Sequence, residues 1–214
     1  MEKGNVLKES LGNFLRNLFD LMVINWLWIL CSLPLITIGP ATCALMSVTL
    51  KLSRGDQVYA AKDFFRSFRA NFRSGVILGL LTVVLLVVSC GDIFFALQQP
   101  ESGRAVFLVV GILMATVCLT VFSYGFALQA MFENPLKIQL LNVFKLAFVQ
   151  PVRTIMLWMI WLSPVLLALA MPVEVLAHVG FLYIAMGISL PAFWAARVLR
   201  DVFDKVNGAP VIPE

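Results

Sequence analysis

From residue 18 to residue 198 the chain runs through apolar stretches that approach or exceed the roughly 20 residues a helix needs to cross a hydrocarbon core. Short polar segments separate these stretches, the two longest of them basic. Composition excludes a water-soluble surface: 61% of the residues are hydrophobic, 13% are charged, and mean hydropathy is +0.94. The fold class that follows is all-α, a polytopic membrane helix bundle. It has about six transmembrane helices and two cytoplasmic amphipathic helices in a single integral membrane domain, residues 1–214.

Charge position sets the orientation. Six of the 16 Lys and Arg residues fall between Lys51 and Arg73: Lys51, Arg54, Lys62, Arg66, Arg69 and Arg73. Short basic loops stay on the cytoplasmic side, and Lys3, Lys8 and Arg16 hold the N-terminus there too. Arg197, Arg200 and Lys205 do the same for the C-terminus. The net charge of +4 is thus an orientation signal and a contact for anionic lipid headgroups, not a nucleic-acid surface. The expected spans are Leu18–Ile36, 40–53, Ser74–Leu97, Ala105–Met131, Val152–Met171 and Val175–Val198. Residues 40–53 are short for a crossing, about 18 Å of apolar helix. Two inside flanks nevertheless require an even number of crossings between them, and the alternative is a re-entrant segment.

Outside the spans, residues 1–17 read as an interfacial helix, 54–73 and 133–151 as cytoplasmic amphipathic segments, and 206–214 as a flexible tail. The N-terminus mixes both charge signs and lacks a small-residue cleavage site, so the first span is expected to remain as an anchor. Between residues 60 and 73, Phe64, Phe65, Phe68 and Phe72 share one helical arc, with Lys62, Arg66, Arg69 and Arg73 on another. Rings in the membrane interface and guanidinium heads near phosphate make those four cations a candidate docking or lipid surface. In the second amphipathic segment Leu140, Phe144 and Phe148 form the stripe. Gly75 and Gly79 form a GxxxG pair, which permits close helix packing, here within the chain. A shift of 80 residues superposes Phe64, Phe68 and Arg73 on Phe144, Phe148 and Arg153, a faint sign of two similar hairpins.

Chemistry-bearing groups are sparse. Cys31, Cys43, Cys90 and Cys118 lie in apolar stretches without metal-ligand spacing and read as packing residues. Ser89, Ser123 and Ser163 have no partnering base. Neither a phosphate loop nor a dinucleotide fingerprint occurs, so the expectation is no enzyme, no cofactor, no metal and no catalytic residue. Asp92, Glu174 and His178 fall in the outer half of the membrane on this topology and form a candidate polar cluster. Charged groups in lipid are costly and often functional; the plainer reading is three interfacial residues reaching water.

The block NWLWILCSLPLITIGPATCALMSVTLKLSRGD, residues 25–56, is followed by KDFFRSFRANFRSG, residues 62–75, and echoed by VFKLAFVQPVRTI, residues 143–155. In these blocks the chain resembles the YesL-type family of bacterial membrane proteins, a family of unknown function. The resemblance implies a bacterial cell membrane and association with carbohydrate-uptake and polysaccharide-use systems, with a membrane or cytoplasmic protein of such a system as partner. It transfers no catalytic residue. Three function classes stay open: a non-enzymatic accessory or regulatory membrane protein, a small-solute transporter, and a structural or lipid-organising protein.

Overall fold

The computed structural model describes residues 2–132 and 134–207. Among them ten α-helices follow one another: α1 (Glu2–Ser32), α2 (Ile38–Arg54), α3 (Ala60–Ala70), α4 (Phe72–Gln98), α5 (Glu101–Thr120), α6 (Phe126–Met131), α7 (Leu136–Val149), α8 (Pro151–Ala170), α9 (Val173–Met186) and α10 (Ser189–Asn207). A 3-10 turn, Leu35–Thr37, leads into α2, and a π-helical turn, Val121–Gly125, joins α5 to α6. Five segments are long and apolar enough to cross a membrane, and the bent α9–α10 pair makes a sixth if it is one span. The chain is a membrane protein, and the all-α polytopic bundle read from the sequence is its architecture.

The short helix α2 is the post of the bundle. Thirteen of its 17 residues are buried, and α1, α3, α4, α6 and α10 all pack against it. In lipid no hydrophobic force drives helices together, so close packing of small residues does that work. At the N-terminal end of α2 this packing is backbone to backbone. A Cβ on Gly39 would overlap the Gly75 carbonyl, and one on Gly79 would lie 2.9 Å from the Gly39 Cα. Gly75 and Gly79 thus receive Gly39 and Pro40, inside the chain. The other end of α2 is closed by Gly55, whose φ of +80° suits glycine. Its N–H bonds the Leu52 carbonyl and the Asp56 N–H bonds that of Lys51, so the Arg-Gly-Asp triplet is a helix cap. Arg200 of α10 donates a further bond, 2.6 Å, to the Ser53 carbonyl. That bond places the basic end of α10 beside the basic end of α2.

Several boundaries differ from expectation. Residues 2–32 form one continuous helix, of which Phe14–Ser32 is apolar enough to cross; no proline or glycine-cap signal interrupts the backbone near residue 17. The helix expected over 60–73 is divided at Asn71, whose amide bonds the Ser67 carbonyl (3.1 Å) and so stops α3 from within. The sixth span is broken between α9 and α10, with a bend of 50°. The stripe read on α7 is rotated: Gln139 and Val143 are buried whereas Phe148 is 83% exposed. An apolar helix with lipid on one side and protein on the other offers two apolar faces, and period alone does not choose between them. The two hairpins of the faint repeat share a helix–break–helix plan, but Phe64 is fully buried where Phe148 and Phe144 are not. The tail expected over 206–214 falls, from residue 208 onward, outside the described residues, as does Glu133.

Candidate functional site

Asp92, Glu174 and His178 do not assemble into a cluster among the described residues. Asp92 is half-buried on α4 against α5, where a Cβ on Gly111 would come within 3.3 Å of the Asp92 Cβ. Glu174 and His178 are exposed on α9, which packs on α1. His178 donates from Nδ1 to the Glu174 backbone carbonyl at 2.6 Å, so the i, i+4 spacing yields a side-chain-to-backbone bond instead of a side-chain pair. The cause of the separation lies in packing: α4 is matched to α5, while α9 is tied to α1 through Asn25. Metal chemistry gains no support either, since no group of three metal-ligating side chains occurs among the described residues.

The four cations of the α3 region are all exposed. Lys62, Arg66 and Arg69 follow one another at spacings of four and three residues, a ridge along α3, and Arg73 lies beyond the Asn71 break at the start of α4. None of them makes an ion pair with another described residue. What lies beneath the ridge departs from expectation. Phe64 is fully buried and Phe68 packs partly buried against the same core, stacked on Phe64 at 6.4 Å, because α3 lies on α1 and α2. Only Phe65 and Phe72, each somewhat more than two-fifths exposed (42% and 43%), face outward. The helix is thus fastened by protein, with lipid left to the two flanking rings.

A single ion pair fixes the start of α3. Lys51 Nζ lies 2.9 Å from Asp63 Oδ1, and Asp63 Oδ2 accepts the Tyr59 N–H at 3.0 Å. Burial works to raise the Asp63 carboxyl. The Lys51 hydrogen bond, the Tyr59 N–H, and the charges of Lys51 and Arg66 outweigh it, so the group sits below the ordinary carboxylate value. The same carboxylate is near the positive end of α3, where negative charge is favoured.

Below the ridge lies a belt of buried polar side chains that the sequence reading passed over. Asn25, fully buried on α1, donates to the Ile184 carbonyl (2.8 Å) and accepts from the backbone N–H of Ile188 (3.1 Å) and Ser189 (3.0 Å). One amide thereby satisfies the backbone opened at the α9–α10 break, as a non-helical turn at membrane depth requires. Around the π-turn, Gln139 of α7 donates to the Gly125 carbonyl at 2.7 Å. The Tyr124 hydroxyl meets Thr154 of α8 at 2.9 Å, and Gln129 donates to Asn71 at 3.4 Å. The available signal was a polar residue within an apolar stretch, which in lipid calls for a partner on another helix. The cysteines, by contrast, stay free: Cys43 and Cys118 are buried, Cys31 is half-buried and Cys90 is exposed.

Residues 21–93 match the family described as protein of unknown function, DUF624. The matched segment spans the core-facing part of α1, the post α2, the ridge-bearing α3 and most of α4. Over 154 residues, 70% of this chain and 72% of the relative, the chain is 29% identical to the uncharacterized protein YesL of Bacillus subtilis (strain 168). No solved structure matches. The domain match and this similarity both point to a likeness with the YesL-type family, whose function is unknown.

Proposed function

We propose that the chain is a non-enzymatic accessory or regulatory protein of a bacterial carbohydrate-uptake system, spanning the cell membrane with both termini in the cytoplasm. In this reading it presents the ridge Lys62–Arg66–Arg69, with Arg73 beyond it, to an acidic surface of a protein partner. The observation that carries the reading is the burial of Phe64 and Phe68 under the ridge. A lipid anchor needs its aromatic face in the membrane; here half of that face, Phe64 and Phe68, is turned into the protein and fastens the cation-bearing helix to the bundle. A pre-ordered row of guanidinium groups suits recognition of carboxylates. The link to sugar uptake comes from the family resemblance alone.

The test is charge reversal on the ridge with Lys62 and Arg73 retained. Arg66→Glu with Arg69→Glu, expressed at normal level in native membranes, is expected to remove the partner that co-purifies with the unaltered protein. If the same partner is retained and only binding to anionic liposomes weakens, the ridge is a lipid contact and the docking reading fails.

A second reading, a small-solute transporter, is favoured by the interrupted α9–α10 segment, since broken helices at membrane depth commonly form transport sites. Uptake of radiolabelled sugar into proteoliposomes separates the two, as an accessory protein alone moves none.

A further inference from the structure

Helices α8 and α10 part beside the α9–α10 break and leave an elongated apolar cavity of about 710 Å3, open along one side. Met159, Leu167, Met186, Leu190 and Trp194 give it its character, and three methionines, counting Met171, make its wall adaptable. The volume is in the range of sites for small organic ligands, about 300–1,000 Å3. The wall is almost wholly apolar. Its hydroxyl, on Ser163, donates at 2.7 Å to the Ile160 carbonyl. Pro164 at the next position has no N–H with which to close the helical bond to that carbonyl.

One end of the groove carries a charge. Arg197 lies one turn beyond Trp194 on α10, toward the basic end of the bundle, and is exposed. Its guanidinium sits 5.3 Å from the Phe193 ring centroid and 5.7 Å from that of Trp194, so the head is braced beside a ring that lines the groove. The neighbouring carboxylate, Asp201, is paired with Arg200 at 3.5 Å, and among the described residues Arg197 has no carboxylate partner. An apolar slot ending in an aromatic-braced arginine matches one molecule of the surrounding solvent. We infer that the α8–α10 groove is a specific site for an anionic phospholipid, with an acyl chain in the slot and the phosphate on Arg197.

Native mass spectrometry of the full-length protein, exchanged into vesicles of equimolar phosphatidylglycerol and phosphatidylcholine with identical chains, tests this. The unaltered protein is expected to retain phosphatidylglycerol over phosphatidylcholine by about tenfold: both carry the phosphate, but the choline ammonium of the second opposes the Arg197 charge. Arg197→Gln brings the ratio near unity, Arg197→Lys restores part of it, and Leu190→Trp, which fills the slot, lowers retention of both lipids. The ridge variant Arg66→Glu with Arg69→Glu keeps the full preference, so the outcome does not depend on the proposed docking function. Equal retention of both lipids by the unaltered protein overturns the proposal, as does a preference that survives Arg197→Gln. A lipid-free dimer that Leu190→Trp dissociates also overturns it and makes the groove an interface between copies.

Discussion

Asn25 ties α1 to two backbone N–H groups and one carbonyl at the α9–α10 break, and each loses its partner if the amide is removed. Leaving a buried backbone group unsatisfied costs about 1–3 kcal/mol, and side-chain bonds in membrane bundles average less, about 0.6 kcal/mol. Three groups at once place Asn25→Ala at about 2–4 kcal/mol of destabilisation, read from reversible unfolding in detergent or bicelles. His178→Ala, on an exposed side chain bonded within its own helix, is expected to move stability by less than about 0.5 kcal/mol. If the two variants unfold alike, the amide is not what holds the break. The sequence makes Asn25 visible as a polar residue between Ile24 and Trp26, but not its role, because its partners lie 159–164 positions away. Asp92, Glu174 and His178 were conspicuous for the same reason and acquire no shared partner. Charge marks a residue in an apolar stretch, whereas helix packing decides whom it meets.

Among elements, α2 shows where local reading runs short. Its shortness suggested a weak span; the small residues along it are what let five helices close on it. Glycine substitutions separate contact from propensity. Gly39→Ala drives a methyl group into the Gly75 carbonyl, backbone against backbone, where no side chain exists to turn aside. Gly91, on the same α4 that meets Gly39 further down, has nothing within 4 Å of a built Cβ. Gly39→Ala is expected to lower the folded, monodisperse yield severely, with a loss well above the 1–3 kcal/mol or so of ordinary overpacking. Gly91→Ala is expected to be neutral or stabilising by up to about 1 kcal/mol, the difference in helix propensity. Size-exclusion profiles and melting temperatures of the two proteins decide it, and a silent Gly39→Ala would remove α2 from the centre of the bundle. The GxxxG spacing of Gly75 and Gly79 was readable from the sequence. Their receiver, Gly39–Pro40, is readable as a turn signal leading into a helix, which is where α2 starts, but its close contact with α4 is not.

For the whole molecule, the question is which ends share a side of the membrane, and one contact bears on it directly. Arg200 of α10 bonds the carbonyl of Ser53 at the C-terminal end of α2, so the last basic cluster and the elbow leading to α3 share a face. The helix α3 also packs on α1 as well as on α2, which draws the first helix into the same arrangement. If that face is cytoplasmic, as the basic residues dictate, then α2 crosses despite its length, because α1 and α2 must together carry the chain out and back. The burial of 13 of its 17 residues shields the polar ends that a lone helix of this length would leave in lipid. The α9–α10 pair must then act as one broken span, returning the chain from the far side after α8. The expected outcome is six crossings with both ends inside. In a background with the native cysteines replaced, a membrane-impermeant maleimide added to intact cells should label Ser102→Cys. It should reach Asp56→Cys and Lys205→Cys only after the membrane is opened. Labelling of Lys205→Cys in intact cells with Ser102→Cys still labelled and Asp56→Cys silent would mean that α9–α10 dips and returns on its own side. A re-entrant α2 reverses every later segment, so it would label Asp56→Cys and Lys205→Cys and silence Ser102→Cys. The two failures leave different patterns over the three positions, so the experiment separates the bend at Gly187–Ile188 from the shortness of α2.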